Sequence, residues 1–285
     1  MKGSAWQAPA AACVVAAVVA GTALAANSGS FSDSAGDGNP APDVTGVAIA
    51  NDDSGTVTIK VTVANRSTLS TNDSVDVGID ADQNPDTGSV FYGTEFELDL
   101  DGSTPRFLRA SPDGFFQQAA APVSLQATSS GGVVTFSFKT ADLGITSGFS
   151  VYALGFSQGA VDTAPDIRTF NYQLVAGTAP PALGPDTRAP LDEAVKVKGV
   201  HGKTMHLLYF AADGRGETTD TVVVYRGSRV LKRIVTRLED TNPFFPYWVP
   251  WRVPSNVRGK LRFCVRSADR AGNRSNQSCA SLTIR

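Results

Sequence analysis

The chain has 285 residues, 42% of them hydrophobic and only 18% charged, with 27 glycines, 16 prolines and a formal net charge of −2. That balance describes a folded, turn-rich protein of one large or two ordinary domains and argues against disorder, collagen or a coiled coil. Two histidines and three cysteines speak against a zinc finger, a zinc enzyme or a haem protein.

Residues 1–25 read as an export signal: Lys2, an apolar run from Ala8 to Ala20, then Ala23-Leu24-Ala25 as the small-x-small cleavage pattern. Cys13 lies too early in that segment to be a lipoprotein cysteine. No later apolar run approaches a membrane span. The expected location is therefore outside the cell, free or associated with the cell envelope.

From residue 26 the pattern is all β. Strands are expected at Thr45–Ala50, Thr56–Ala64, Ser74–Ile79, Glu95–Leu100, Val123–Gln126, Val133–Phe138, Phe149–Phe156 and Arg168–Leu174, separated by Asn/Asp/Gly/Ser turns. Val57, Ile59, Val61 and Val63 alternate with polar residues, as do Val134, Phe136 and Phe138. Only a turn around Thr140–Leu143 departs from β. The expected fold of residues 26–176 is a jelly-roll-like β-sandwich.

Three runs carry a resemblance: Ser32-Asp33 with Gly36-Asp37 and Ala41-Pro42-Asp43-Val44; Ile79-Asp80-Ala81-Asp82-Gln83-Asn84-Pro85-Asp86-Thr87-Gly88; and Gly93-Thr94-Glu95-Phe96. Together they resemble the secreted bacterial sandwich domains related to family 9 carbohydrate-binding modules and DOMON domains, over roughly residues 30–176. The resemblance implies the sandwich fold and a sugar-type ligand. A DOMON haem site takes axial Met and His, and residues 26–176 contain neither, so haem is not expected.

Asp80, Asp82, Asn84 and Asp86 set side-chain oxygens at alternate positions of a tight loop, and Glu95 follows close by. Calcium takes six to eight such oxygens and offsets their mutual repulsion. The run has neither the sixth-position glycine nor the closing Glu of an EF-hand. The competing reading is that Asp and Asn are there because they favour turns. Glu97, Asp99 and Asp101 continue an acidic strand face that is expected to be exposed.

Gly155-Phe156-Ser157-Gln158-Gly159 matches the Gly-x-Ser-x-Gly nucleophile elbow of hydrolases. That elbow needs a helix after the serine and a downstream acid and histidine. The following residues make a poor helix, and His201 and His206 lie in a different domain, so Ser157 is not assigned as catalytic. Paired acids for glycoside cleavage are equally unspecific here.

Residues 177–190, rich in Pro, Ala and Gly, read as a linker. Charge reverses across it: residues 1–187 hold 7 Lys/Arg and 19 Asp/Glu, residues 188–285 hold 18 and 8. The second domain, 191–285, is expected to be a smaller sandwich with strands at Ala194–Val197, Lys203–Phe210, Thr221–Arg226, Ser228–Val235, Tyr247–Val253, Lys260–Ser267 and Ala280–Ile284. The run Arg262 to Asn273 resembles the penultimate strand and hairpin of bacterial Ig-like or fibronectin type III-like modules, which implies fold more than function. Cys264 and Cys279 fall opposite each other across that hairpin, on the face away from Leu261, Phe263 and Val265, and are expected to form a structural disulfide.

Two features of this domain have functional readings. Its many arginines and lysines (Arg226, Arg229, Lys232, Arg233, Arg237, Arg252, Arg258, Lys260, Arg262, Arg266, Arg270 and Arg274) form a polyanion-attracting face, a solvated surface, or a face pairing with the acidic domain. Trp248 points away from the apolar face of its strand, free to stack on a sugar ring or to pack at an edge. His201 and His206 are read as ordinary. The sequence reading is a secreted, two-domain, non-catalytic binding protein for polysaccharide or an anionic cell-envelope polymer, with calcium in its first domain. No nucleic-acid motif is present. The alternatives are a structural envelope protein acting through protein contacts and, third, a hydrolase.

Overall fold

The computed structural model describes residues 26–285; the export segment read at residues 1–25 lies outside the described residues. The first domain contains β1 (Asn27–Ser32), β2 (Val44–Asn51), β3 (Thr56–Val63), β4 (Asp73–Asp80), β5 (Phe96–Asp101), β6 (Thr104–Ala110), β7 (Phe116–Gln118), β8 (Gln126–Ser130), β9 (Val133–Lys139), the one-turn helix α1 (Thr140–Leu143), β10 (Gly148–Ser157), β11 (Ala160–Ala164) and β12 (Phe170–Gln173). These strands form two antiparallel sheets, one in the order β1-β2-β3-β9-β8 and one in the order β11-β10-β4-β5-β6-β7, with β12 also on β10. The core between them follows from the alternation. Ile59 faces Phe136 and Val57 faces Phe138 across β3 and β9, and they join Val75, Val77, Ile79, Leu98, Phe149 and Val151 in one buried cluster.

Three differences from the sequence reading have physical causes. The strand expected at Val123–Gln126 begins only at Gln126, because Val123 is fully exposed and Ser124 Oγ accepts the amide of Lys139 instead. Strands β1, β6, β7 and β11 were not expected; β1 is the polar run Asn-Ser-Gly-Ser-Phe-Ser, held by its pairing with β2 rather than by its own composition. The outward face of β5 is not the exposed acidic strip it resembles. Asp99 is buried, and Asp76, its partner on β4, lies on the same face. Arg106 donates to Asp99, and Tyr152 donates to Glu97 on β5.

The second domain contains β13 (Leu191–Ala194), β14 (Val197–Gly199), β15 (Thr204–Ala212), β16 (Glu217–Arg226), β17 (Arg229–Val235), β18 (Glu239–Asp240), β19 (Tyr247–Arg252), β20 (Gly259–Asp269) and β21 (Ser278–Ile284). Its sheets are β13-β15-β19 and β14-β21-β20-β16-β17, with β18 on β16. The single strand expected at Ala194–Val197 is two: β13 pairs with β15, and after Val195-Lys196 the chain crosses to pair β14 in parallel with β21. Met205, Leu207, Val222, Val224, Trp251, Phe263 and Leu282 fill the core. Cys264 pairs directly with Cys279 and the two are disulfide-bonded, as their register predicts. The fold is therefore two all-β sandwiches in series.

The linker is irregular and mostly exposed, but the domains it joins are docked. Phe244 stacks on Phe91 and meets Tyr152 edge-on, with ring centroids 5.2 and 5.0 Å away. Tyr92 Oη donates to Thr241 O at 3.0 Å, and Asn242 Nδ2 donates to Asp166 O at 2.6 Å. Arg188, at the end of the linker, donates to the carbonyls of Pro85, Thr87 and Gly88. Gly214 sits so close that a Cβ there would lie 1.9 Å from Pro85 O, so no other residue fits without moving the two domains apart.

Candidate functional site

The loop after β4 is built by its own side chains. Asn84 N donates to Asp80 Oδ1 at 3.0 Å and to Asp82 Oδ1 at 2.9 Å, and Asp86 N donates to Asn84 Oδ1 at 3.2 Å. Ala81 N donates to Glu95 Oε2 at 2.8 Å, and Thr87 Oγ1 donates to Glu95 Oε1 at 2.8 Å. Gly93, at φ +77°, lets the returning chain pass so near that a Cβ would lie 2.3 Å from Pro85 Cα.

Asp80, Asp82 and Glu95 are thereby brought together, with one carboxylate oxygen of each within 4.8 Å of the others. Asp80 is buried, and burial followed by the charge of Glu95 pushes its pKa up to about 8. Burial raises Glu95 as well. Such a trio of carboxylates could hold a divalent cation, whose charge would offset their mutual repulsion. Asp86 and Asn84 do not join it. Asp86 turns to the second domain, where Arg215 Nε and Nη2 lie 3.0 and 2.6 Å from its two oxygens. Asn84 spends its Oδ1 on the turn.

A second acidic group went unread in the sequence. Asp37 closes with Asp33 and Asp166 on one side and with Asp43 and Asp162 on the other. Burial raises both Asp33 and Asp162 to about 6, although Asp162 accepts the Val44 amide at 2.6 Å. Its members were visible only as parts of the opening motif and of a polar loop 120 residues later. On the sheet face, burial first and Asp99 second raise the carboxyls of Asp76 and Glu97, while Arg106 Nε donates to Asp99 at 2.6 Å.

Ser157 is not on an elbow. β10 runs through it, Gln158 and Gly159 turn at φ +51° and +86°, and β11 returns antiparallel. A hairpin replaces the strand-turn-helix that presents a nucleophile. Ser157 is buried against Asp73, with no histidine in its domain.

The junction between the domains encloses a cleft of 460 Å³ beside the Asp80 loop, lined by Asp80, Gln83, Tyr92, Ser150, Arg168 and Asn171 and walled by Pro180, Pro181 and Leu183 of the linker. Gln83, Tyr92 and Arg168 are three of the four non-glycine residues with positive φ among the described residues, at +56°, +56° and +72°. Gln83 is 5% exposed and its Nε2 has no hydrogen-bond partner. Ser150 Oγ lies 2.9 Å from Asn171 Oδ1. The two cations are already matched: Arg168 with Asp240 at 2.7 Å, Arg215 with Asp86.

Trp248 is exposed on β19, its ring leaning on His206 with centroids 4.1 Å apart. Tyr247, Val249 and Trp251 point the other way into or against the core. The basic residues divide. Arg188 and Arg215 serve the interface and Arg270 pairs with Glu217 at 2.6 Å, while Arg233, Arg266 and Arg274 share a separate groove on the β16–β20 face.

No family model matches the chain, and no curated protein does. Among solved structures it is similar to the fibronectin(III)-like modules of CbhA from Clostridium thermocellum, at 11% identity and a TM-score of 0.27 over 81% of this chain and 86% of that one. It is also similar to a chimeric titin Z1Z2 tandem (12%, TM-score 0.24, 81% and 91% covered) and to the PKD domain of an M14-like peptidase from Thermoplasmatales archaeon SCGC AB-540-F20 (13%, 0.24, 34% and 92%). At these scores the fold rests on the strand topology above.

Proposed function

We propose that the chain is a secreted, non-catalytic binding protein that takes a neutral glycan in the cleft between its domains. The observation that carries this reading is the cleft's lining. Its two arginines are paired with Asp240 and Asp86, and what stays unpaired is amide: Gln83 Nε2 and the Nδ2 of Asn171. Pro85, Pro180, Pro181 and Leu183 supply flat apolar surface. Sugar rings need both, hydrogen-bond partners for hydroxyls and apolar contact for C–H faces, and 460 Å³ falls within the ~300–1,000 Å³ of small-ligand sites. Left-handed backbone at three lining residues is strain of the kind that collects at binding sites. The resemblance to carbohydrate-binding sandwiches supports the same ligand class.

Calcium at Asp80, Asp82 and Glu95 completes the reading as a stiffener of the loop that carries Gln83. Trp248 offers a further stacking surface on the second domain. A structural role is favoured instead by the interdomain ion pairs, and it predicts an empty cleft.

The test is calorimetric titration of the full chain with a panel of neutral mono- and disaccharides in calcium. Saturable binding weakened at least tenfold by Asn171→Ala and abolished by Leu183→Trp, which fills the cleft from an exposed position, is expected. Binding of no sugar, or binding indifferent to both substitutions, sinks the proposal.

A further inference from the structure

A second surface, remote from the cleft, has the opposite chemistry. On the outer face of the second domain's larger sheet, a groove of 450 Å³ is lined by Arg233, Arg266 and Arg274 together with Thr221, Tyr225 and Gln277, and no carboxylate lines it. Strand register explains the grouping. Thr221 pairs with Arg266 on one side of β16 and Val223 pairs with Arg233 on the other, and Tyr225 pairs with Arg262, whose guanidinium lies over the tyrosine ring at 4.8 Å from its centroid. The disulfide Cys264–Cys279 ties β20 to β21 beside Val223 of β16.

None of Arg233, Arg262, Arg266 and Arg274 forms an ion pair among the described residues, while Arg66, Arg106, Arg168, Arg215 and Arg270 all do. The first domain's acids do not compensate them, because the domains dock through Arg188, Arg215 and Phe244. Four unpaired guanidiniums on one rigid sheet therefore face solvent.

We infer that this face binds a linear phosphodiester polymer without bases, of the poly(glycerol phosphate) kind, laid across β17, β16 and β20. Guanidinium grips phosphate oxygens bidentately, and Thr221 and Gln277 add neutral donors beside them. Arg262 and Arg266 are four residues apart on one strand, about 13 Å at the strand rise, so one flexible chain touches several cations at once and gains avidity. Nucleic acid is disfavoured because base stacking needs a bare aromatic platform, and the one ring in the groove, Tyr225, is covered by Arg262.

The experiment measures binding of the full chain to fluorescent poly(glycerol phosphate), polygalacturonate and a single-stranded oligothymidylate across a salt series. The expected result is tightest binding to poly(glycerol phosphate), weakening steeply with salt. Arg266→Ala lowers the log–log salt slope by about one-half to one unit, since each phosphate contact releases a counterion. Arg233→Ala, Arg266→Ala and Arg274→Ala combined reduce affinity at least a hundredfold with the melting temperature unchanged. Unchanged affinity in the triple variant, no binding at low salt, or preference for the oligonucleotide or the carboxylate polymer overturns the inference. Leu183→Trp leaves poly(glycerol phosphate) binding intact, so this result stands or falls separately from the cleft.

Discussion

The two domains carry opposite charge and place it oppositely. In the first, carboxylates are drawn inward: Asp80, Asp99 and Asp162 are buried, held by backbone amides or by Arg106. In the second, guanidiniums stay outside, and four on one face form no ion pair among the described residues. The difference follows from side-chain length. An Asp reaches only its own neighbourhood, so a turn that recruits Asp oxygens buries them, whereas Arg keeps its head in water while its stem covers the sheet. Acidic surplus here is an internal electrostatic load; basic surplus is a displayed surface.

The largest effect expected from breaking this contrast is on the displayed side. Replacing Cys264 and Cys279 by alanine removes the cross-link beneath the arginine face, which closes a 15-residue separation, and costs the second domain about 3 kcal/mol. Chemical denaturation should show the unfolding midpoint fall.

On the buried side, calcium at a hundred times its dissociation constant should add about 2.7 kcal/mol to the first domain, and Asp82→Ala should erase the gain. Without calcium the pH dependence has a definite sign. Burial, with the charge of Glu95 second, pushes the folded-state pKa of Asp80 up to about 8, far above the ~3.9 of a free Asp, so between these values the folded state holds the extra proton. Stability is then lost as pH rises from about 4 to 8. Thermal melts in chelator should fall over that window, and fall less when calcium is added; a flat profile in chelator would mean the carboxylate is solvated.

Between the two regions, Phe244→Ala removes the ring packed on Phe91 and Tyr152. For a half-buried phenylalanine about 2 kcal/mol is expected, below the 3–5 of a full core site, and calorimetry should resolve two transitions where the parent's are coupled. The smallest effect sharpens the comparison most. Arg233→Ala should leave stability within about 0.5 kcal/mol, since that guanidinium has no partner to lose.

What the sequence made legible was local. Alternation at Val57–Val63 and Val133–Phe138 placed the core strands, and the midpoint between Cys264 and Cys279 placed their hairpin. Oxygens at Asp80 and Asp82, with Glu95, were readable as a cluster because fourteen residues and one strand return separate them. Asp86 misled, since its partner Arg215 stands 129 positions on. The cleft was illegible for the same reason: its walls come from the Asp80–Tyr92 loop, β10 with the segment after β11, the linker, and the turn before β16. Buried acids on β5 were misread as exposed because period-2 patterning says which face a residue takes, and nothing about what lands on that face.

The linker anchor has a biochemical corollary. The run 176–185 is exposed on every residue, the natural place for a protease to cut, yet Arg188 and the Phe244 contact grip both sides of it. A single nick there yields two bands on a denaturing gel from a particle that still elutes as one peak, and only high salt or detergent parts them. Limited digestion would thus report a processed, two-chain form of the same assembly rather than two liberated domains.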